Sequence, residues 1–308
     1  MRPRVQITVP LFVRTLLAIS ACCALTFGSA PTARAHEHAS EKTQAETKPQ
    51  AQQPPADVQE LANRLAPNLA RTHSIRVLVL DFKGPHNLWL PFSAWLGDQV
   101  SAAIGNVGKQ VEVVPRSKLT ATIADRRLEP KDEFDIKIAE SLAESLKAQV
   151  IISGSYVATQ SGLGVALRYG EKEGDSWLVQ AWREDLREKI SLPSEVSNSL
   201  GITLESLRPK DGIYQGGEGG VSYPMCIRCP PPRLPNASIG KTQGTVMMLA
   251  TITPEGRAAK IKVTKGAGFG LDAQAVKAVE AWEFTPAKDV DGKPVPVRTP
   301  IEVVFRIY

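Results

Sequence analysis

The strongest constraint on this chain is a change of hydrophobic period inside its last quarter. Thr245 to Thr253 is an apolar, β-branched run ended by the turn signal Pro254-Glu255-Gly256. Ala259 to Lys265 then alternates, with Ile261 and Val263 on one face and Lys260, Lys262 and Thr264 on the other. Gly266, Gly268 and Gly270 form a tight corner, after which the period turns helical: Leu271, Ala275, Val279 and Trp282 share one face. Asp272 is the expected N-cap, its carboxylate placed to accept from first-turn amides. Beyond Asp291-Gly292 the period returns to two. Ile301, Val303, Phe305 and Ile307 face one side, and Glu302, Val304 and Arg306 the other. The order strand, strand, helix, strand predicts a small antiparallel sheet with a helix on its apolar face.

Those residues resemble the carboxy-terminal domain of the TonB family over about residues 221 to 308. The resemblance rests on a Gly-x-Val strand start (Gly244, Val246), an acidic-Gly hairpin (Glu255-Gly256) and a Leu-Asp helix start (Leu271-Asp272). It continues through Trp282, Phe284, Pro286 and Ala287, the run Gly292 to Val295, and a last strand ending in Phe305. Leu234-Pro235, Asn236 and Gly240 depart from the pattern, which has Tyr-Pro and a short helix there. The resemblance implies a binding domain that captures an extended segment of an outer-membrane transporter, or of another envelope protein, by strand addition. It places that edge at Ile301, Glu302, Val303, Val304, Phe305, Arg306 and Ile307. An inner-membrane energising complex and a second copy of the chain are the other partners it allows.

The amino terminus reads as a secretory signal over residues 1–35. It has a basic start (Arg2, Arg4, Arg14), an apolar run from Leu16 to Phe27, and Ala33-Arg34-Ala35 before His36. That run is shorter than the roughly 20 residues of a spanning helix, so periplasmic export is expected. An uncleaved anchor, and a lipid anchor at Cys22, stay open as alternatives. The charge follows from this segment. Removing its four arginines from 37 basic side chains leaves 33 against 32 acidic ones, a nearly neutral chain with no basic footprint for nucleic acid.

Residues 36–56, rich in Gln, Ala and Pro, read as a disordered tether, with His36 and His38 as solvated tail residues. Residues 57–207 alternate strands and helices, which argues for a mixed α/β sheet domain and an α+β chain overall. A capping-box-like start at Asp57 leads a helix carrying Leu61, Leu65 and Leu69. Ile75 to Phe82 is apolar enough to be buried on both faces. Phe92, Trp95, Leu96, Val100, Ala103 and Ile104 form a helical stripe behind Pro91. Ser117 is expected to cap the next helix, Asp132, Glu133 and Asp135 to be helix-start acids, and Ser194 to Leu207 to close the domain as a helix. Val79 to Phe82, Phe92-Ser93, Val113 to Leu119 and Ile151 to Tyr156 together resemble the α/β domain of CsgG-like curli-secretion, FlgO-like and TolB amino-terminal envelope proteins, none of them enzymes.

Residues 208–236 read as a linker before the domain at 237–308. Gly216, Gly217, Gly219 and Gly220 are expected to make its first half flexible, and Pro230 to Pro232 to stiffen its second. Between them lie Cys226 and Cys229. A thioredoxin-type dithiol needs a helix start at the first cysteine, and Pro230 opposes one. Zinc needs four ligands, and no second CxxC or His pair is near. A small disulfide staple is the expectation, with a periplasmic thiol oxidoreductase as the competing function. A membrane-anchored energy transducer is the other alternative. His73 and His86 have no nucleophile motif beside them, and neither glycine cluster has a phosphate-loop context. No catalytic set, metal or cofactor is expected.

Overall fold

The structure, a computed structural model, describes residues 53–69, 74–174, 176–179, 186–233 and 243–305. The expected signal segment, His36, His38, His73, Leu234 to Gly240, Arg306 and Ile307 lie outside the described residues. The first lobe runs α1 (Ala56–Leu69), β1 (Ile75–Lys83), α2 (Pro91–Gly105), β2 (Val111–Val113), α3 (Arg116–Asp125) and α4 (Ile136–Ser145). It continues with β3 (Val150–Thr159), β4 (Gly162–Glu173), β5 (Ser176–Val179), β6 (Arg187–Ile190) and α5 (Ser194–Leu200). The sheet order is β2-β1-β3-β4-β5, with β6 also on β4. β1 is parallel to β2 and β3, whereas β4 is antiparallel to β3, β5 and β6, so the sheet is mixed.

The two faces of β1 are sorted by parity. Ile75, Val77 and Val79 join the core under α1 and α2, while Leu78 and Leu80 join Leu119, Leu142 and Ala143 of α3 and α4. The β1–β3 register shifts between Val79 and Phe82, and this irregularity carries Phe82 onto the α1/α2 face. Asp81 is left buried on the other side.

Several helix-start expectations need correction. Asp57 lies inside the first turn of α1, where its carboxylate accepts from the amides of Val58 at 2.9 Å and Ser191 at 2.6 Å. It ties a helix to the strand region β6 instead of closing a capping box. α3 begins at Arg116 behind Pro115 with no side-chain cap, so Ser117 does not cap it. Asp135 caps α4, accepting from Lys137 and Ile138. Asp132 and Glu133 do fall in the first turn of a short 3-10 helix (Pro130–Phe134), as expected, but Glu133 turns inward. It is buried, and its Oε2 accepts from the amide of Asp81 at 3.2 Å. The closing helix stops at Leu200 because Gly201 turns left-handed at φ 61°, and only a short 3-10 turn (Glu205–Leu207) follows.

The second sheet holds β7 (Tyr214–Gln215), β9 (Gly244–Ile252), β10 (Ala258–Lys265) and β14 (Val297–Phe305), in the order β10-β9-β14-β7. Between β10 and β14 in the chain lie α6 (Leu271–Glu280), β11 (Glu283–Thr285), β12 (Ala287–Lys288) and β13 (Pro294–Val295), and β8 (Met225–Arg228) pairs with β11. The expected ββαβ order is present, and the predicted helix stripe is the core. Leu271, Ala275, Val279 and Trp282 are fully buried against Val246, Met248, Ile301, Val303 and Phe305. Burying Trp282 alone removes about 150–250 Å² from water, worth several kcal/mol at roughly 25 cal/mol per Å². The N-cap of α6 is Gly270 (φ 77°). Asp272 instead reaches back to the corner, accepting from Ala267 at 2.7 Å and Gly268 at 3.4 Å.

The glycines of the linker are packed, contrary to the expected flexibility. Glu218, Gly219 and Gly220 are buried, and Ser155 of β3 clamps them, donating to the Gly217 carbonyl and accepting from the Gly219 amide. Gly219 lies so close to the first sheet that a Cβ there would sit 2.4 Å from the Val157 nitrogen. Val157 of the first sheet, Tyr214 and Val221 of the joint, and Ala287, Val295 and Val297 of the second lobe form one shared cluster. Thr159 donates to Asp289 at 3.1 Å and Lys189 pairs with Asp291 at 2.8 Å across the same seam.

Candidate functional site

β14 pairs with β9 along its whole length, from Val297 opposite Ile252 to Phe305 opposite Gly244. On its other side β7 covers only Val297 and Arg298. Among the described residues, no strand pairs with Thr299–Phe305 on that side. Which backbone groups face this opening follows from two observations. Tyr214 N–H donates to the Pro296 carbonyl at 2.9 Å, and the parallel pairing of Val297 with Tyr214 then turns the Arg298 amide toward β7. Even-numbered residues therefore point outward and odd ones toward β9. Pro300 fits that parity: lacking an N–H, it occupies a position whose amide is not needed by β9.

The open edge consequently presents the amides of Glu302 and Val304 and the carbonyls of Pro300, Glu302 and Val304. Side chains follow the pleat. Ile301, Val303 and Phe305 are buried under α6, while Glu302 and Val304 are half-exposed on the outer face. The remaining residues of the expected edge, Arg306 and Ile307, lie outside the described residues. The start of the edge is anchored by Arg298, whose guanidinium donates to Asp211 at 2.7 Å. Hydrogen bonds from the Ile213 amide and Arg298 hold the Asp211 carboxyl below its ordinary value, against a desolvating push upward.

Cys226 and Cys229 are joined by a disulfide. Cys226 lies in β8 and Cys229 directly after it, so the pair sits on extended backbone followed by three prolines, and no helix begins there. The helix dipole that lowers a thioredoxin-type thiol is not supplied at this position. The ribbon is held at its far end by the Trp282 indole, which donates to the Pro230 carbonyl at 2.8 Å. Met225 and Ile227 stand 66% and 64% exposed on it. Arg228 hydrogen-bonds Glu283, which lowers that carboxyl, and Arg257 adds to the same effect. Among the described residues no group of His, Cys, Asp and Glu is arranged to hold a metal ion.

Two buried acidic sites have no counterpart in the sequence reading. In the first, Asp81 accepts from the Trp89 indole at 2.7 Å and from Arg116, which also bonds Asp98 and the Val79 carbonyl. Glu133 lies against this group; burial first and the charge of Asp81 second push its carboxyl up to about 7. In the second, Glu218 is 6% exposed in the joint, and burial raises its carboxyl to about 7. The amides of Asn87, His86 and Gln215 and the Lys83 ammonium pull the other way.

Residues 231–307 match the family model described as Gram-negative bacterial TonB protein C-terminal. The match takes in β9 to β14 and agrees with the resemblance read from the sequence. No curated protein matches the chain. Among solved structures, the TonB carboxy-terminal domain of Pseudomonas aeruginosa is similar at 29% identity, with 27% of this chain and 86% of that one covered and a TM-score of 0.24. The LpoB carboxy-terminal domain from Salmonella enterica is similar at 15% identity, covering 40% and 90%, with a TM-score of 0.33. That from Escherichia coli shares 14% identity, covering 44% and 99%, with a TM-score of 0.34.

Proposed function

We propose that this chain is a non-enzymatic periplasmic envelope protein that binds its partner by adding an extended segment of it to the open edge of β14. The partner class is an outer-membrane transporter segment or another envelope protein, engaged in transport or envelope assembly. The observation that carries the reading is the edge itself: a strand paired on one side, with outward amides at Glu302 and Val304, inside the TonB-matched residues. The first lobe is read as an envelope scaffold of the curli-secretion, FlgO and TolB amino-terminal type, on the motif order noted above. No helix among the described residues is long and apolar enough to cross a membrane.

The edge also sets the strength of the interaction. Two donors and three acceptors allow up to five backbone hydrogen bonds, at roughly 0.5–1.5 kcal/mol net each. Association entropy offsets several kcal/mol of that. A weak, reversible complex results. The test titrates the mature chain with extended peptides from the amino-terminal segments of outer-membrane transporters. Val304→Pro removes one of the two outward amides and should abolish binding. Glu302→Ala keeps both and should weaken it only a few-fold. A thermal melt separates loss of docking from loss of fold, and unchanged affinity in a folded Val304→Pro variant sinks the proposal.

A further inference from the structure

The start of the docking edge is already occupied by the chain's own β7, and β7 runs directly into the buried Gly216–Gly220 segment. We propose that β7 and this segment form a displaceable cap on the edge, held shut by uncharged Glu218 and released when that carboxyl ionises. Where it concerns docking, the inference rests on the function proposed above; the cap itself does not.

The geometry has three parts. First, both Glu218 carboxylate oxygens are sealed from solvent and make no hydrogen bond in the structure. The amides of Asn87, His86 and Gln215 nevertheless face the carboxylate closely enough to favour its charged form, against the larger push of burial. Gln215 is the second residue of β7, so the group that feels the charge belongs to the cap. Second, the surrounding backbone is built from successive left-handed turns. His86 and Asn87 are left-handed at φ 55° and 60°, a modest cost for these two residue types, while Gly217, Gly219 and Gly220 adopt the same region freely. Third, the charged and titratable groups around the site come from every neighbouring element. Lys83 of β1 and Arg168 of β4 approach from the first sheet, and Arg187 of β6 donates to the Gly220 carbonyl. His86 is engaged by Asp211 and Gln215, and the Tyr223 ring lies against Gly216 and Gly217.

A neutral carboxyl tolerates such a site at modest cost. An ionised one is costlier, because the three facing amides and Lys83 offset its desolvation only in part. Burial raises the carboxyl to about 7 from an ordinary 4.5. A raised carboxyl favours the closed cap at low pH, and that preference is lost as the pH climbs through about 7. Linkage with those two values gives an opening equilibrium about tenfold more favourable at pH 8 than at pH 6.

Amide hydrogen exchange of the mature chain, corrected for the intrinsic rate, reads the cap through peptides spanning Tyr214–Val221 and Pro296–Thr299. Wild type should lose about tenfold protection in both between pH 6 and pH 8. Glu218→Gln mimics the uncharged group at nearly constant shape and should hold both peptides protected at both pH values. Glu133→Gln, which alters a different buried carboxyl, should leave the wild-type change in place. A flat wild-type profile, or a Glu218→Gln variant with the same loss, overturns the proposal. Affinity for the transporter peptides should rise over the same range in wild type only. Exchange that behaves as stated with no peptide bound at any pH would refute the docking edge and leave the cap standing.

Discussion

Gly219→Ala is the sharpest probe of whether the joint is a spacer or a packed interface. The backbone there is left-handed at φ 51°, which costs a non-glycine residue about 1 kcal/mol. The new Cβ would lie 2.4 Å from the Val157 nitrogen, 2.6 Å from its Cγ1 and 2.7 Å from the Gly164 carbonyl oxygen. Two of those atoms are backbone in β3 and β4, paired along ten residue positions, and neither can rotate away. The segment must therefore back off the sheet, loosening the Ser155 bonds to Gly217 and Gly219. Overpacking of this kind typically costs about 1–3 kcal/mol, giving about 2–4 kcal/mol in all. At roughly 2–4 °C per kcal/mol for a chain of this size, the melting midpoint should fall by about 4–16 °C. The control is Gly212→Ala, also left-handed (φ 67°) but with nothing within 4 Å of its Cβ, so only the conformational cost remains. Circular dichroism melts of both variants decide the matter. If Gly219→Ala is no more than roughly 0.5 kcal/mol worse than Gly212→Ala, the joint is not a packed interface.

Glu133 gives a second pH signature, distinct from Glu218. Its carboxyl is raised to about 7, so it stabilises the fold at acid pH and that stabilisation fades as pH rises from about 4.5 through 7. Glu133→Gln should recover about 3 kcal/mol at pH 8 relative to wild type and little at pH 4, read from urea midpoints. Replacing Cys226 and Cys229 together by Ser should lower stability by no more than about 2 kcal/mol, because the closed ring is only four residues. The oxidised protein should show no insulin reduction; stoichiometric zinc in the purified protein would contradict the staple. Ala35→Leu should block processing of the exported chain, because the signal peptidase accepts small residues there, and amino-terminal sequencing of the mature protein should begin at His36.

What the sequence made legible is what periodicity encodes. β1 reads as doubly buried and is, because a run such as Ile75 to Phe82 has no polar face to turn outward. The Leu271, Ala275, Val279 and Trp282 stripe is the core of the second sheet for the same reason. Parity even assigned the inward and outward sides of β14 as far as Phe305. Three things were hidden because they depend on partners remote in sequence. β7 is two residues long and has no periodicity of its own; it exists only because Pro296 and Arg298 wait eighty residues on. The glycines from 216 to 220 look loose by composition, yet Gly219 and Gly164 are glycine so that two backbones can touch. Asp272, Asp57 and Glu133 all carry the right charge for helix starts, but each carboxylate also reaches an amide outside its own helix. Local propensity names a group that wants a donor without saying which donor it will meet.

The shared cluster at Val157 has a consequence for the order of assembly. Val157 meets Ala287, Val295 and Val297 across some 130 to 140 residues of chain, so this patch of β3 is closed by residues made long after it. The buried core under α3 and α4 draws only on Leu78 to Ile151, which favours early formation, whereas the core under α1 and α2 already reaches from Val58 to Leu207. The seam instead waits on contacts of very high sequence separation, whose loop closure must precede any gain from burial. Until β14 zips onto β9, an apolar strip of β3 remains uncovered, the kind of surface that a holding chaperone recognises in a half-made chain. Removal of β14 would therefore make a folded first lobe sticky instead of merely deleting a docking edge.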